Sequence, residues 1–467
     1  MRKVLFAALA AVFLIVGVAV ALAVKNVDPE SVTKQSETNT DEIEWTQPNT
    51  ESLAYYGLDE FDTELPVVYI DTGGEALSKD YKVRCGFSIL GADADGSTHN
   101  IMDTPEVMLY ADVNYRGASS EHFEKRQYRI CFYKNTDGTS KKEYDFLGMG
   151  EASEWVLNGP FLDKTLARNR IVYQLGNEIM DWAPETRYIE LFVDGEYKGV
   201  YLAVEAVTND ESRLNLATYG LLSGETAYIV ERNRDDSDEN PLENYGRING
   251  YTSFSLYIDY PGATKITDDE RTYIESDISE FERSLYSARF DDEEGGYADY
   301  IDVDAFVDYF IINEVAMNHD GGGLSTYYYK DIEGKLSITL WDYNNCWDNY
   351  QWFSEDFDEF YLTEMPWFER LVEDDAFVDK VVERYRQLRQ GELSTEHVLE
   401  LLSQTREELE AATDRNFAVW GYTFESNLLA GSGRDITSYD EAYRQLKKAI
   451  KKRFKFLDEH IEDLYEL

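Results

Sequence analysis

The sequence predicts an α+β protein whose N-terminal half is rich in β-strand and whose C-terminal half is mainly helical. Three observations carry that prediction. From Leu65 to Tyr133 short β-branched and aromatic runs alternate in polarity and are separated by turn residues. From Tyr309 to Tyr350 an apolar helix is followed by glycines and a Tyr-rich hairpin. Beyond Pro366 apolar residues recur at helical spacing to the end of the chain.

At 467 residues the chain is long enough to bury a large core in one big domain or two intimate lobes. Its formal net charge is -48, from 92 acidic and 44 basic side chains. Such a surface repels nucleic acid and anionic membrane, so neither DNA nor RNA is an expected partner. Three well-spread cysteines (Cys85, Cys131 and Cys346) are not a disulfide framework, and with no CxxC and only five histidines a zinc site is not expected.

Taken in order, Arg2 and Lys3 precede an uncharged aliphatic run from Val4 to Val24. Residues 1–25 read as a secretory signal peptide or a membrane anchor, with the body exported to an extracellular or cell-surface location. Residues 26–62 are polar and weakly periodic and read as a flexible tether. The runs PVVYIDTG, YKVRCGFSIL, VMLYADVNYRG and KRQYRICFY then read as strands. Asp163 is placed as the N-cap of a helix reaching about Met180. Asp194-Gly195 joins two further strands as a hairpin, the second ending on Glu205. Arg232 to Asn244 reads as an exposed acidic insertion, and a strand pair is expected near Tyr251 to Tyr260. Helices are expected over 268–290, 304–318, 367–390, 394–420 and 438–466, the last with Lys447, Lys448, Lys451, Lys452 and Arg453 as a solvated basic face.

The stretch that holds the chemistry is Asn318-His319-Asp320-Gly-Gly-Gly, then a strand, a turn and a strand ending on Trp341-Asp342. Two carboxylates thus fall at the ends of neighbouring elements. Phosphoryl transfer from a nucleotide needs one Asp on the attacking hydroxyl and another on the metal. No His-Arg-Asp or Asp-Phe-Gly motif is present.

Four separated segments resemble the spore-coat CotH kinase family. They are Asn114-Tyr115-Arg116-Gly117-Ala118-Ser119-Ser120 with Lys125-Arg126-Gln127-Tyr128-Arg129; Trp155 to Asn158 through Asp163 to Arg168-Asn169; Glu190 to Glu205; and the Asn318–Asp320 to Trp341-Asp342 core. The resemblance covers roughly residues 65–467. It implies a two-lobed atypical protein-kinase-like fold over 63–467, with an N-lobe of about 63–206 and a C-lobe of 207–467. It also implies ATP and a divalent metal, Mg²⁺ or Mn²⁺, and transfer to Ser or Thr of envelope, coat or extracellular proteins. Asp320 matches the catalytic Asp and Asp342 the metal-binding Asp. Lys125, read as a strand residue, is the candidate for the lysine on the phosphates. Arg116, Gly117, Ser119 and Ser120 form a candidate phosphate-facing turn, and Arg168 is expected to brace it. Glu205 is expected near the adenine, and Trp341 either packs or stacks on it. Asn344 stands where many relatives have a second Asp, which lowers the charge available to a metal. Asn344 or Asn345 is then the candidate for the asparagine of an ordinary kinase loop. The altered loop at Cys346-Trp347 keeps a second expectation open, a binding module that retained the fold and lost the chemistry. An acid glycosidase with paired carboxylates has no support beyond abundant Asp and Glu.

Overall fold

The computed structural model describes residues 45–117, 122–217, 225–235, 240–262, 265–425, 428–431, 434 and 436–467. The expected signal or anchor, most of the tether, and Ser119 and Ser120 lie outside the described residues.

The part of the tether that is described is not loose. Helix α1 (Thr50–Tyr55) starts at Asn49, whose side chain accepts from the N–H groups of Glu51 and Ser52. Its Leu53 is buried, and Trp45 meets Tyr69 edge-on at 5.5 Å. The expectation of a flexible tether through residue 62 is therefore corrected for residues 45–62. Asn49, Leu53 and Trp45 suffice to fasten so short a segment, and none of them sets up a periodicity.

Seven strands follow: β1 (Val67–Asp71), β2 (Val83–Leu90), β3 (Val107–Arg116), β4 (Gln127–Tyr133), β5 (Glu154–Asn158), β6 (Thr186–Val193) and β7 (Glu196–Glu205). They close into a barrel in the order β6-β7-β5-β4-β3-β2-β1. Every pair is antiparallel except the closing one, where β1 runs parallel to β6 from Val67↔Glu190 to Ile70↔Val193. Alternate residues, such as Val83, Cys85, Phe87 and Ile89 on β2, gather into one core with Phe132, Phe146 and Trp155. The β6–β7 turn places Asp194 and Gly195 at φ 49° and 77°, the conformation that an Asp-Gly hairpin needs.

Helix α2 (Arg168–Ile179) begins four residues later than expected, with Ala167 instead of Asp163 at the N-cap position. Asp163 does not cap it directly; its carboxylate instead accepts from the N–H of Thr165 and of Arg168, closing the approach to the helix.

The C-terminal half holds a second sheet in the order β9-β8-β10-β11, made of β8 (Tyr228–Arg234), β9 (Phe254–Tyr260), β10 (Thr326–Lys330) and β11 (Ser337–Thr339). Helices α3 (Asp268–Leu285), α4 (Val303–Ala316), α5 (Asp375–Leu388), α6 (Thr395–Trp420) and α7 (Tyr439–His460) pack around it. Eleven consecutive residues of α4, Phe306 to Ala316, are buried, so α4 is the central post of this half.

Two expectations fail here. Residues 232–234 are not an exposed insertion but the end of β8, which supplies the strand partner of β9. Arg232 is fully buried, donates to the carbonyls of Gly322 and Pro366, and lies 3.9 Å from the Trp367 ring. A charged letter hid a core position: Nη1 has the two carbonyls and the Tyr328 hydroxyl as acceptors, and the guanidinium lies over an aromatic face, which together replace part of its water. Likewise Arg453 is not part of the solvated basic face: it is 0% exposed and paired with Glu314. The three cysteines are free and buried.

Candidate active site

Helix α4 ends at Met317 in a left-handed conformation, φ 54°. The turn that follows carries Asp320 and is tied back to the helix. The Gly322 N–H donates to the Tyr309 hydroxyl at 3.1 Å, and the Gly321 N–H donates to the Asn318 carbonyl at 3.1 Å.

Asn313, fully buried on α4, is the centre of this arrangement. Its Nδ2 donates to the Tyr309 carbonyl at 2.8 Å, one helical turn back. Its Oδ1 accepts from Asn318 Nδ2 at 2.9 Å and from the Tyr343 hydroxyl at 3.0 Å. One amide therefore holds both the turn bearing Asp320 and the loop bearing Asp342. Gly321 is required beside it, since a Cβ there would stand 2.6 Å from Asn313 Oδ1. The amide has no room to retreat without losing its three bonds. Gly321→Ala is expected to cost about 1–3 kcal/mol of stability, measured as a shift in the denaturant midpoint, and to misplace both loops.

The loop after β11 is fixed from the other half of the chain. Asp342 has φ 60°, a conformation that non-glycine residues rarely adopt. Its N–H donates to the Tyr173 hydroxyl at 3.0 Å. The Tyr343 N–H donates to Asn169 Oδ1 at 2.6 Å. Asn169 continues through Asn158 to Gln127, a line of side-chain amides at 3.4 and 3.3 Å crossing from α2 to β5 and β4. Arg168 Nε donates to the Cys346 carbonyl at 2.8 Å while Nη1 donates to Asp163 at 2.5 Å. Arg168 thus braces the loop after Asp342 rather than a phosphate directly.

The two carboxylates converge. Asn345 Nδ2 reaches Asp320 Oδ2 at 3.4 Å, so a side chain three residues past Asp342 lies on Asp320. Burial pushes the Asp342 carboxyl up to about 6, with Arg116 opposing the rise and Asp320 adding to it. Burial also raises Asp320, against the pull of His319, Arg234 and the Asn345 amide. Both keep part of their surface open to water, so they stand on a wall that solvent reaches.

Arg116 is the cation that the barrel brings to this wall. Its guanidinium lies 5.0 Å from the Trp341 ring and favours the charged forms of Asp342, Glu231 and Asp259. Glu231 on β8 is itself pushed up to about 7, first by burial and then by Asp259. Gly117 follows at φ 101°, which lets the chain turn away from β3.

The donor set suits a hard divalent cation completed by phosphate oxygens. Asn344 Oδ1 is buried without a hydrogen-bond partner, and no donor among the described residues reaches the Asp342 carboxylate. Both groups offer an oxygen of the hard kind that Mg²⁺ prefers. Among the described residues no three His, Cys, Asp or Glu side chains cluster to hold a metal by themselves.

Two expected site residues, Lys125 and Glu205, fall elsewhere, and a third, Trp341, stays at the site as a packing residue. Lys125 precedes β4 instead of lying in a strand. It is 1% exposed, and its Nζ donates to the Val200 carbonyl at 2.7 Å and to Asn416 Oδ1 at 2.8 Å. It latches the barrel to α6, and burial lowers its pKa well below the usual lysine range. Glu205 is buried at the end of β7, accepts from the Glu185 N–H at 2.8 Å and lies 3.7 Å from Arg213. Neither is brought to the two aspartates. Trp341 is packed between Arg116, Tyr327 and Tyr173, with 8% of its surface exposed, so packing accounts for it.

The Glu205 geometry predicts a pH effect. Burial raises its carboxyl to about 7, so between the unfolded value near 4.5 and about 7 the folded state binds the extra proton. Stability from this group is present below that window and is lost as pH rises through it. Glu205→Gln is expected to remove a pH-dependent loss on the order of 2 kcal/mol between pH 4.5 and 7, read from urea midpoints at several pH values.

Sequence reasoning missed Asn313, Asn169, Tyr343 and Glu231. The signal for Asn313 was present: an uncharged polar residue inside the apolar run FIINEVA needs a buried partner.

A family model described as "CotH kinase protein" matches residues 113–457, a span that includes Arg116, Asp320 and Asp342. Among curated proteins the chain is similar to "Inner spore coat protein H" of Bacillus subtilis (strain 168), 27% identical over 248 residues. That alignment covers 53% of this chain and 61% of the relative, so the chain spans less than two thirds of the length of the relative it matches.

Proposed function

Because the chain belongs to the CotH kinase family, we propose that it is an ATP-dependent protein kinase of atypical, two-lobed type that phosphorylates Ser or Thr of coat, envelope or extracellular proteins. The observation that carries this reading is the convergence of Asp320 and Asp342 on one wall, facing Arg116 from the barrel.

In this mechanism the acceptor hydroxyl oxygen forms a bond to the γ-phosphorus, the bond to the ADP oxygen breaks, and the hydroxyl proton passes to Asp320. Asn345 fixes the orientation of the Asp320 carboxylate. Asp342 and Asn344 would hold Mg²⁺ or Mn²⁺, which when bound would neutralise charge on the phosphates. Arg116, at the end of β3 beside Gly117, takes phosphate oxygens, since a guanidinium offers several N–H donors to an anion. The nucleotide lies between Arg116 of the barrel and the two aspartates of the helical half. The coat relative supports a coat or surface location. The N-terminal run supports export, with a membrane tether if it is not cleaved. Among the described residues no helix is long and apolar enough to cross a membrane.

A second reading has one specific observation behind it. The residue that would complete a pair of metal-binding aspartates is Asn344, and the relative is named as a coat protein. A binding module of the coat or surface that kept the fold without the chemistry would show both features.

The test is incubation of residues 26–467 with γ-labelled ATP and Mg²⁺ or Mn²⁺. The kinase reading predicts label on the chain or on added protein, and none in Asp342→Ala. No label with either metal favours the binding module.

A further inference from the structure

Between Asp348 and Pro366 the chain has almost no regular structure, yet its backbone is held. Arg434 donates to the carbonyls of Asp348, Tyr350 and Phe353, and Arg453 to those of Phe357 and Glu359. The Ala430 N–H donates to the Gln351 carbonyl at 2.8 Å. Within this clamped stretch Trp352 is 66% exposed and Phe353 42% exposed.

Phe353 lies 5.0 Å from His319 and 4.7 Å from Tyr350, and Tyr350 is 5.3 Å from His319. His319 is the residue before Asp320. The Phe353 ring therefore adjoins the turn holding the base of the proposed reaction, and Trp352 is exposed beside it on the same clamped backbone. Holding two aromatic rings in water on an immobilised backbone is the arrangement of a binding anchor, because little ordering entropy remains to be lost when a partner covers them.

Resting on the kinase reading, we propose that Trp352 and Phe353 are the acceptor-polypeptide shelf: they take an apolar side chain that flanks the Ser or Thr presented to Asp320. The acceptor is the occupant we assign because Phe353 meets His319, the residue before Asp320, so the shelf borders the place where the acceptor hydroxyl would sit.

The experiment uses Ser-centred peptide arrays in which flanking positions are fixed in turn as Leu, Phe, Lys, Glu or Gly, with residues 26–467 as enzyme. One position is expected to favour Leu or Phe over Gly by about tenfold, the worth of one side chain in an apolar site. In Trp352→Ala that preference is expected to fall below about twofold, while the KM for ATP and the melting temperature stay unchanged. The proposal is overturned if no position favours an apolar residue, if Lys is favoured instead, or if the preference survives in Trp352→Ala. A wild-type chain that labels no peptide and no protein overturns the kinase reading, and this proposal with it. A wild-type chain that labels peptides without apolar preference overturns this proposal alone.

Discussion

Asp320→Ala is expected to lower phosphoryl transfer by about 10²–10⁴-fold, the range a positioned proton acceptor supplies, while metal-dependent nucleotide binding persists. The geometry separates those two outcomes. Asp320 lies in the turn after α4, and its side chain bonds to the Asp342 loop through Asn345 while Asn313 holds that loop independently, so its loss is expected to leave the oxygens of Asp342 and Asn344 in place. Asp320→Asn removes the proton acceptor while preserving size, and is expected to be as inactive as the alanine variant. Single-turnover labelling under saturating ATP reads the loss, and equal melting temperatures exclude a folding defect.

Arg453→Ala is expected to destabilise the protein by about 3–5 kcal/mol, the cost of leaving a buried charge without its partner. Arg453 is 0% and Glu314 1% exposed as side chains. The guanidinium Nη2 donates to Glu314 Oε2 at 2.6 Å and Nε to the Glu314 carbonyl at 2.6 Å. Glu314 in turn accepts from the N–H groups of Tyr361 and Leu362. Removing the arginine therefore strands a carboxylate and two carbonyls of the 348–366 stretch together. Arg453→Lys is expected to rescue little, because one ammonium does not reproduce the planar fork. Chemical denaturation measures the loss, and retention of at least half the stability by Arg453→Lys would contradict this account.

The sequence made the strands of the barrel and the helices of the C-terminal half legible, since period-2 and helical patterns are local. Closure of the barrel was not legible. It depends on the parallel register of β1 on β6, which pairs residues more than 100 positions apart, from Val67↔Glu190 to Ile70↔Val193. Buried arginines were misread for a related reason: Arg232 and Arg453 owe their burial to carbonyls and rings supplied by distant segments. At the site, Asp320 and Asp342 were found through the ends of their elements and a family resemblance. Lys125 was misplaced because a lysine beside a strand carries no local sign of whether its Nζ meets a phosphate or, as here, Asn416. Arg116 was one of several cations in the first half, and only the fold sets its guanidinium over Trp341.

The most direct test is metal–nucleotide binding by calorimetry in the wild type, Asp320→Ala and Asp342→Ala, using a non-hydrolysable ATP analogue with Mg²⁺. If both aspartates serve one nucleotide in divided roles, the wild type and Asp320→Ala bind the analogue in a metal-dependent way and Asp342→Ala does not. Binding that needs no metal, or that survives in Asp342→Ala, would contradict the account.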